Sequence, residues 1–228
     1  MRAESLARFR FFSQHANGPS VLDLGCGAGE GTAYLRQHTG WSVVGVDLAG
    51  DALAMAQHEY GANGSNFVQA NVEQLAFATT QFDAIISVEV IEHLEDPQIY
   101  LREAARVLRP GGLMMVTTPN RLRSSPTPGS LWPEHVREYS PDELETLLHS
   151  VFARVKLWGE RVPVYEAHPV RKLVRRLAPF VKPWLPHWLR VRALPMVQTA
   201  IKPELALDDI QFARTNLREM PTLVALCR

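Results

Sequence analysis

The sequence predicts an α/β fold, a seven-stranded, mainly parallel sheet with helices on both faces and a small helical insertion before the last strand. Three observations carry this. Short apolar runs alternate with helix-period segments up to residue 158, the rhythm of right-handed crossovers between parallel strands. The first run ends in three closely spaced glycines, Gly25, Gly27 and Gly29, where a strand must turn sharply into a helix. The 228 residues, 46% hydrophobic and 21% charged, have the balance of a single domain, 1–228, with enough apolar side chains for a sizeable core.

The elements follow in order. Leu6, Phe9 and Arg10 fall at helical spacing, and Gly18-Pro19 ends that opening helix. Residues 21–24 read as a buried strand, 29–38 as a helix, 42–47 as a second strand and 51–60 as a helix with Asp51 near its start. Residues 66–70 are a third strand and 84–88 a fourth, introduced by Gln81-Phe82-Asp83. A helix over 97–108 meets the stop signal Arg109-Pro110-Gly111-Gly112, and a fifth strand runs over 113–118. Ser140-Pro141 opens a helix over 142–151, 154–158 is a sixth strand, and 223–226 is apolar enough for a last buried strand beside it.

Residues 159–205 interrupt this rhythm and read as a helical, basic cap inserted within the domain. Prolines stand at 169, 179, 183, 186 and 195, with Trp184 and Trp188 among them. Val170, Leu173, Val174 and Leu177 form the apolar stripe of an amphipathic helix whose other face is cationic. The zero net charge therefore conceals a division: residues 1–150 carry 10 Lys and Arg against 18 Asp and Glu, whereas 151–192 carry 10 against 2. Such a cap can act as a lid, grip a phosphorylated substrate or make peripheral contact with anionic lipid through 168–192, or it can simply pack on the sheet with its arginines in water. Nucleic acid is not an expected partner, because the body is acidic. No run reaches the roughly 18 apolar residues of a membrane span, and the opening residues lack a signal-peptide core. Two cysteines, Cys26 and Cys227, suit a reducing compartment, so a cytoplasmic location is expected.

The glycine turn is spaced G-x-G-x-G and preceded by Asp23, which suits a ligand bearing an ammonium and a carboxylate better than a pyrophosphate. Asp47 ends the second strand 18 residues beyond Gly29, where a carboxylate can accept hydrogen bonds from both hydroxyls of a ribose. With VLDLGCGAGEGT, VVGVDLA, FDAIISVEVIEHLEDP and VLRPGGLMMVTTPN in that order, the chain resembles the class I S-adenosylmethionine-dependent methyltransferases. The resemblance implies a Rossmann-like sheet with S-adenosyl-L-methionine held by Asp23, Gly25, Cys26 and Gly27 at its methionine part and by Asp47 and Leu48 at its ribose. It further implies contacts from Asn71, Val72 and Val88. Asn71 stands where family members usually carry Asp; its amide oxygen still accepts a hydrogen bond from an adenine amine.

Glu89, Glu92 and His93 stand at i, i+3 and i+4 just after the fourth strand, so a helical turn there would aim all three from one face. Two carboxylates and an imidazole can hold Mg²⁺ or Mn²⁺, and His135, beyond the fifth strand, is a plausible fourth ligand. This arrangement resembles the ubiquinone-biosynthesis O-methyltransferases and, with the later His, the small-RNA ribose O-methyltransferases, both of which use a metal to hold the methylated hydroxyl. Without metal, His93 or His135 can take the acceptor proton directly, since an imidazole titrates near 6.5. The expected activity is methyl transfer to the oxygen of a small-molecule, glycan or lipid-like acceptor. The alternatives are an N- or C-methyltransferase without metal and a catalytically silent binding subunit of the same fold.

Overall fold

The computed structural model of the chain describes residues 3–124, 133–163 and 205–228. Each expected strand is present: β1 (Ser20–Leu24), β2 (Ser42–Asp47), β3 (Asn66–Gln69), β4 (Phe82–Val88), β5 (Leu108–Pro119), β6 (Val155–Arg161) and β8 (Thr222–Cys227). An eighth, β7 (Gln211–Ala213), was not expected; three residues are too few for an alternation pattern to register. The sheet order is β3-β2-β1-β4-β5-β8-β6-β7. β1 to β5 run parallel, and β8 enters antiparallel between β5 and β6. β5 begins at Leu108, earlier than the expected 113, because Phe82 pairs with Leu108 before the register shifts across Arg109–Gly112 and resumes at Ala84 with Leu113.

The helices are α1 (Ala3–His15), α2 (Glu30–Thr39), α3 (Gly50–Tyr60), α4 (Pro97–Val107), α5 (Arg121–Ser124) and α6 (Pro141–His149). Their starts are chemically marked. Asp96 accepts the Gln98 and Ile99 amides at 3.0 and 3.3 Å ahead of Pro97, and Ser140 forms a capping box with Glu143 ahead of Pro141.

Strand alternation divides the core between the two faces of the sheet. Leu22, Ile85, Met114, Leu223 and Ala225 pack with Tyr100, Leu101, Leu144 and Leu148 of α4 and α6. On the other face Val21, Ala84, Ile86, Met115 and Val224 pack with Phe9, Phe12 and Leu35 of α1 and α2. Covering both faces explains why β4 is buried without interruption from Ala84 to Ser87. Because β1, β2, β4 and β5 are parallel, their carboxyl ends share one edge, the side on which such sheets bind ligands.

The chain divides into two compact units, 1–160 with 212–228, and 161–211. Of the expected insertion over 159–205, Gly159, Glu160 and Arg161 belong to β6, and residues 164–204, including the basic stretch 168–192, lie outside the described residues. The described part of the second unit holds a single short turn of 3-10 helix, Leu207–Asp209. Both cysteines are free thiols. No described helix is long and apolar enough to cross a membrane.

Candidate functional site

The first corner of the site is the glycine turn after β1. The Gly25 and Cys26 amides donate to the Val46 carbonyl at 2.7 and 2.9 Å, which seats the turn on the end of β2. Gly27 and Gly29 have φ of 52° and 80°, a region that disfavours side chains. They need glycine for different reasons. A Cβ on Gly29 would lie 2.6 Å from the Phe67 ring and 2.7 Å from Ala56, whereas nothing stands within 4 Å of one on Gly27. Gly29 is therefore a packing requirement, and Gly27 is an open cradle that a side chain would begin to fill.

Asp47 closes this corner. Its Oδ2 accepts the Gly27 amide at 2.7 Å and its Oδ1 the Ala49 amide at 2.9 Å, and each oxygen retains a lone pair for a ligand. Asp23 lies beneath: the residue is 1% exposed and its carboxylate accepts the Thr32 hydroxyl at 2.7 Å, bracing the turn against α2. Burial pushes its pKa up to about 7 against the Thr32 bond, with the charge of Asp47 adding to the rise. Burial likewise raises the Cys26 thiol, helped by Asp23 and Asp47, so Cys26 stays protonated. Leu48 is 67% exposed at the mouth, Val88 is half-buried and Val72 buried. Asn71 is exposed, its amide oxygen accepting the Glu73 amide at 2.9 Å with one lone pair still free.

The second corner follows β4 and departs from the expected helical face. Glu89 takes a left-handed φ of 56°, and only Ile91–His93 make a turn, of the 3-10 type. Glu89 is thereby separated from the other candidate ligands: its Oε1 lies 3.2 Å from Arg8 Nη1 of α1 and accepts the Thr117 hydroxyl at 3.3 Å. The four-residue set expected from the sequence is thus a three-residue set. One ligand atom each from Glu92, His93 and His135 lie within 4.8 Å of one another, and the two imidazoles meet edge to face with centroids 5.0 Å apart.

Each member of the trio is oriented by its surroundings. Glu92 is fully buried; Oε2 accepts the Thr118 hydroxyl at 3.0 Å, and Oε1 has no hydrogen-bond partner among the described residues. Burial, and after it the charge of Glu89, pushes its pKa up to about 8, against the weaker pull of Thr118 and Arg8. His93 Nδ1 lies 2.8 Å from the Glu134 carbonyl, which can only accept, so Nδ1 carries the proton and Nε2 offers a lone pair. His135 Nδ1 lies 2.7 Å from Glu138 Oε1, and Glu138 is itself buried with Ser124 Oγ against its Oε2.

One short segment assembles all of this. The Val136 and Arg137 amides donate to the Glu92 carbonyl at 2.9 and 3.0 Å, and a bridge between Asn120 and Tyr139 fixes the segment to the end of β5. Asn120 is fixed in turn by its Nδ2, which donates to the Leu217 and Met220 carbonyls at 3.0 and 2.8 Å. The sequence reading missed Glu138, Thr118 and Arg8. Arg8 is buried and bound to Glu160 Oε2 at 2.5 Å, across 152 residues of chain, and no local pattern announces such a pair. Glu138 stands three residues after His135, a spacing that would have been a usable signal had that segment been read as a turn.

The donor sets match two kinds of ligand. The open Gly27 cradle and the Asp47 carboxylate suit a ligand with a ribose and an amino-acid group. A buried carboxylate oxygen without a donor, beside two imidazoles whose Nδ1–H groups are already engaged, suits a divalent cation.

Residues 22–116 match the family model described as a methyltransferase domain. A probable S-adenosylmethionine-dependent methyltransferase of Mycobacterium tuberculosis is 41% identical over 131 residues, 56% of this chain and 46% of that protein. A ubiquinone biosynthesis O-methyltransferase of Rhizobium rhizogenes is 36% identical over 126 residues, 54% of this chain and 50% of that protein. The chain spans about half the length of these curated relatives. The crystal structure of an S-adenosylmethionine-dependent methyltransferase from Archaeoglobus fulgidus superimposes with a TM-score of 0.66 over 100% of this chain and 94% of that one at 16% identity, a likeness of fold. Residues 22–116 thus match a methyltransferase domain, and relatives that share this stretch include S-adenosylmethionine-dependent methyltransferases.

Proposed function

We propose that the protein transfers a methyl group from S-adenosylmethionine to a hydroxyl of a small-molecule, glycan or lipid-linked acceptor, with Glu92, His93 and His135 holding Mg²⁺ or Mn²⁺ beside that hydroxyl. The observation that carries the proposal is the buried, partnerless Oε1 of Glu92 next to two imidazoles whose Nδ1 atoms are already spent. The cofactor supplies an electrophilic methyl group, and the cation supplies Lewis acidity that lowers the pKa of the acceptor hydroxyl. The residues of the chain do the rest. Asp47 and the Gly27 cradle orient the cofactor, and Glu92 contributes the negative charge. His93 and His135 contribute neutral nitrogen donors, and Val136, 52% exposed in the segment that carries His135, offers apolar surface for the acceptor's carbon skeleton. The O-methyltransferase among the relatives supports an oxygen acceptor.

One observation favours a second reading: a histidine whose Nδ1–H is held by a buried carboxylate is also the arrangement of a general base. The two part on chelation. Turnover of labelled cofactor with catechol and sugar-diol acceptors is expected to stop in EDTA and to return with Mg²⁺ or Mn²⁺, since adjacent oxygens can share one cation. Full activity in EDTA, lost in His135→Ala, would replace the cation with the histidine base. No turnover on any acceptor, with cofactor bound, would leave a binding subunit.

A further inference from the structure

The two imidazoles of the site are oriented in different ways. His93 leans on a backbone carbonyl, that of Glu134, which no substitution removes. His135 leans on a side chain, and that side chain is built into the interior: none of the Glu138 carboxylate is accessible, and the residue is 2% exposed. Burying a carboxylate is costly unless its oxygens receive donors. Here Oε1 faces His135 Nδ1 at 2.7 Å and Oε2 faces the Ser124 hydroxyl. Ser124 closes the α5 turn, with its Oγ also 2.9 Å from the Asn120 carbonyl, and Asn120 is the residue that bridges to Tyr139 at the far end of the same segment. Ser124, Glu138 and His135 therefore form a line running from the end of β5 to the site.

We infer that Glu138 is a positioning residue: its buried carboxylate, held by Ser124, fixes His135 with Nδ1 protonated, so that the Nε2 lone pair is the ring's free ligand atom. The inference rests on the reading of His135 as a site residue and deepens it, for it names the group that selects which nitrogen works. It holds whether Nε2 faces a cation or an acceptor proton, because both need a lone pair there. Outer groups of this kind orient a ligand ring and raise its basicity, and their loss typically weakens metal binding about 10–100-fold. A purely structural carboxylate would affect folding and leave the imidazole tautomer to chance.

The test reads the tautomer directly. In metal-free protein labelled with ¹⁵N-histidine, long-range ¹H–¹⁵N spectra at pH 8, assigned with a His135→Asn variant, are expected to show His135 as the Nδ1–H form. In Glu138→Ala that fixed form is expected to give way to exchange between both tautomers, with Mn²⁺ affinity falling about 10–100-fold. Glu138→Gln is expected to stay close to wild type, since its amide oxygen accepts the same proton and the Ser124 hydroxyl can turn to Asn120. Binding of S-adenosylhomocysteine, whose Asp47 and Gly27 contacts none of these substitutions touches, checks that each variant is folded. An Nε2–H tautomer in the wild type would overturn the inference, and so would a Glu138→Ala protein with wild-type tautomer and Mn²⁺ affinity. If Glu138→Ala does not fold, the wild-type and Glu138→Gln spectra still decide. Absence of Mn²⁺ binding in the wild type would sink the cation reading alone, with the tautomer arm left to judge Glu138.

Discussion

Asp47 and Glu92 stand at the same edge of the sheet, one at the end of β2 and the other just beyond β4, and the chain treats the two carboxylates in opposite ways. Asp47 is half-buried, and both its oxygens take backbone amides, from Gly27 and Ala49; its charge is satisfied before any ligand arrives. Glu92 is fully buried, shares one oxygen with the Thr118 hydroxyl and leaves the other without a donor. A carboxylate saturated by amides shapes a loop and presents leftover lone pairs to a neutral ligand. One that is buried and half-satisfied creates a demand for positive charge, which a proton meets when nothing else is there, hence the pKa of about 8, and for which a cation flanked by imidazoles would compete.

The sharpest way to break this contrast is to remove each acid and read both ligands. Glu92→Ala is expected to abolish Mn²⁺ binding and to cost about 10²–10⁴ in turnover, with S-adenosylhomocysteine affinity little changed by calorimetry. A variant that kept its Mn²⁺ affinity would erase the distinction between the corners. Asp47→Ala is expected to do the reverse on a smaller scale, weakening the cofactor by roughly 1.5–3 kcal/mol through the lost charged hydrogen bonds while Mn²⁺ binding persists. Equal losses of both ligands in either variant would mean that the corners act as one site.

A gentler probe concerns the acid beneath the first corner. Asp23 has a folded pKa of about 7 against an ordinary value of 3.8, so the folded protein keeps a proton that the unfolded chain releases. Its stabilising contribution is complete below about pH 4 and is lost as pH rises through the folded value. Asp23→Asn, which still accepts the Thr32 hydroxyl, should therefore gain in melting temperature relative to wild type between pH 4 and pH 8. A constant difference across that range would show that Asp23 is ionised where it lies.

Much of the first corner was legible in the sequence because its parts are local. Three glycines within five residues and an acid at the end of the next strand announce a turn that needs positive φ and a strand end that needs a carboxylate. The second corner was half legible. Glu92 and His93 are adjacent and His135 lies in a polar run beyond the next strand, so the trio could be named. The assignment of Glu89 to the same face failed because helical spacing presumes a helix, and a left-handed residue at the strand end turned that side chain toward Arg8 instead. Glu138 escaped because its role depends on burial, which a short loop segment does not encode by periodicity. The strand β7 and the early start of β5 were missed because both are set by pairing with a neighbour rather than by their own residues.

The position of β8 bears on how the protein can be made. It is hydrogen-bonded between β5 and β6, yet it is synthesised after both, beyond the whole of the 161–211 unit. While the chain emerges from the ribosome, β5 and β6 each present an unpaired edge of backbone amides and carbonyls, the kind of surface that invites pairing with another nascent chain. The parallel half of the sheet can assemble during translation, but the antiparallel half waits for residues 222–227. That delay leaves β5, buried from Leu113 to Thr118 in the finished fold, exposed along one edge until residues 222–227 are made.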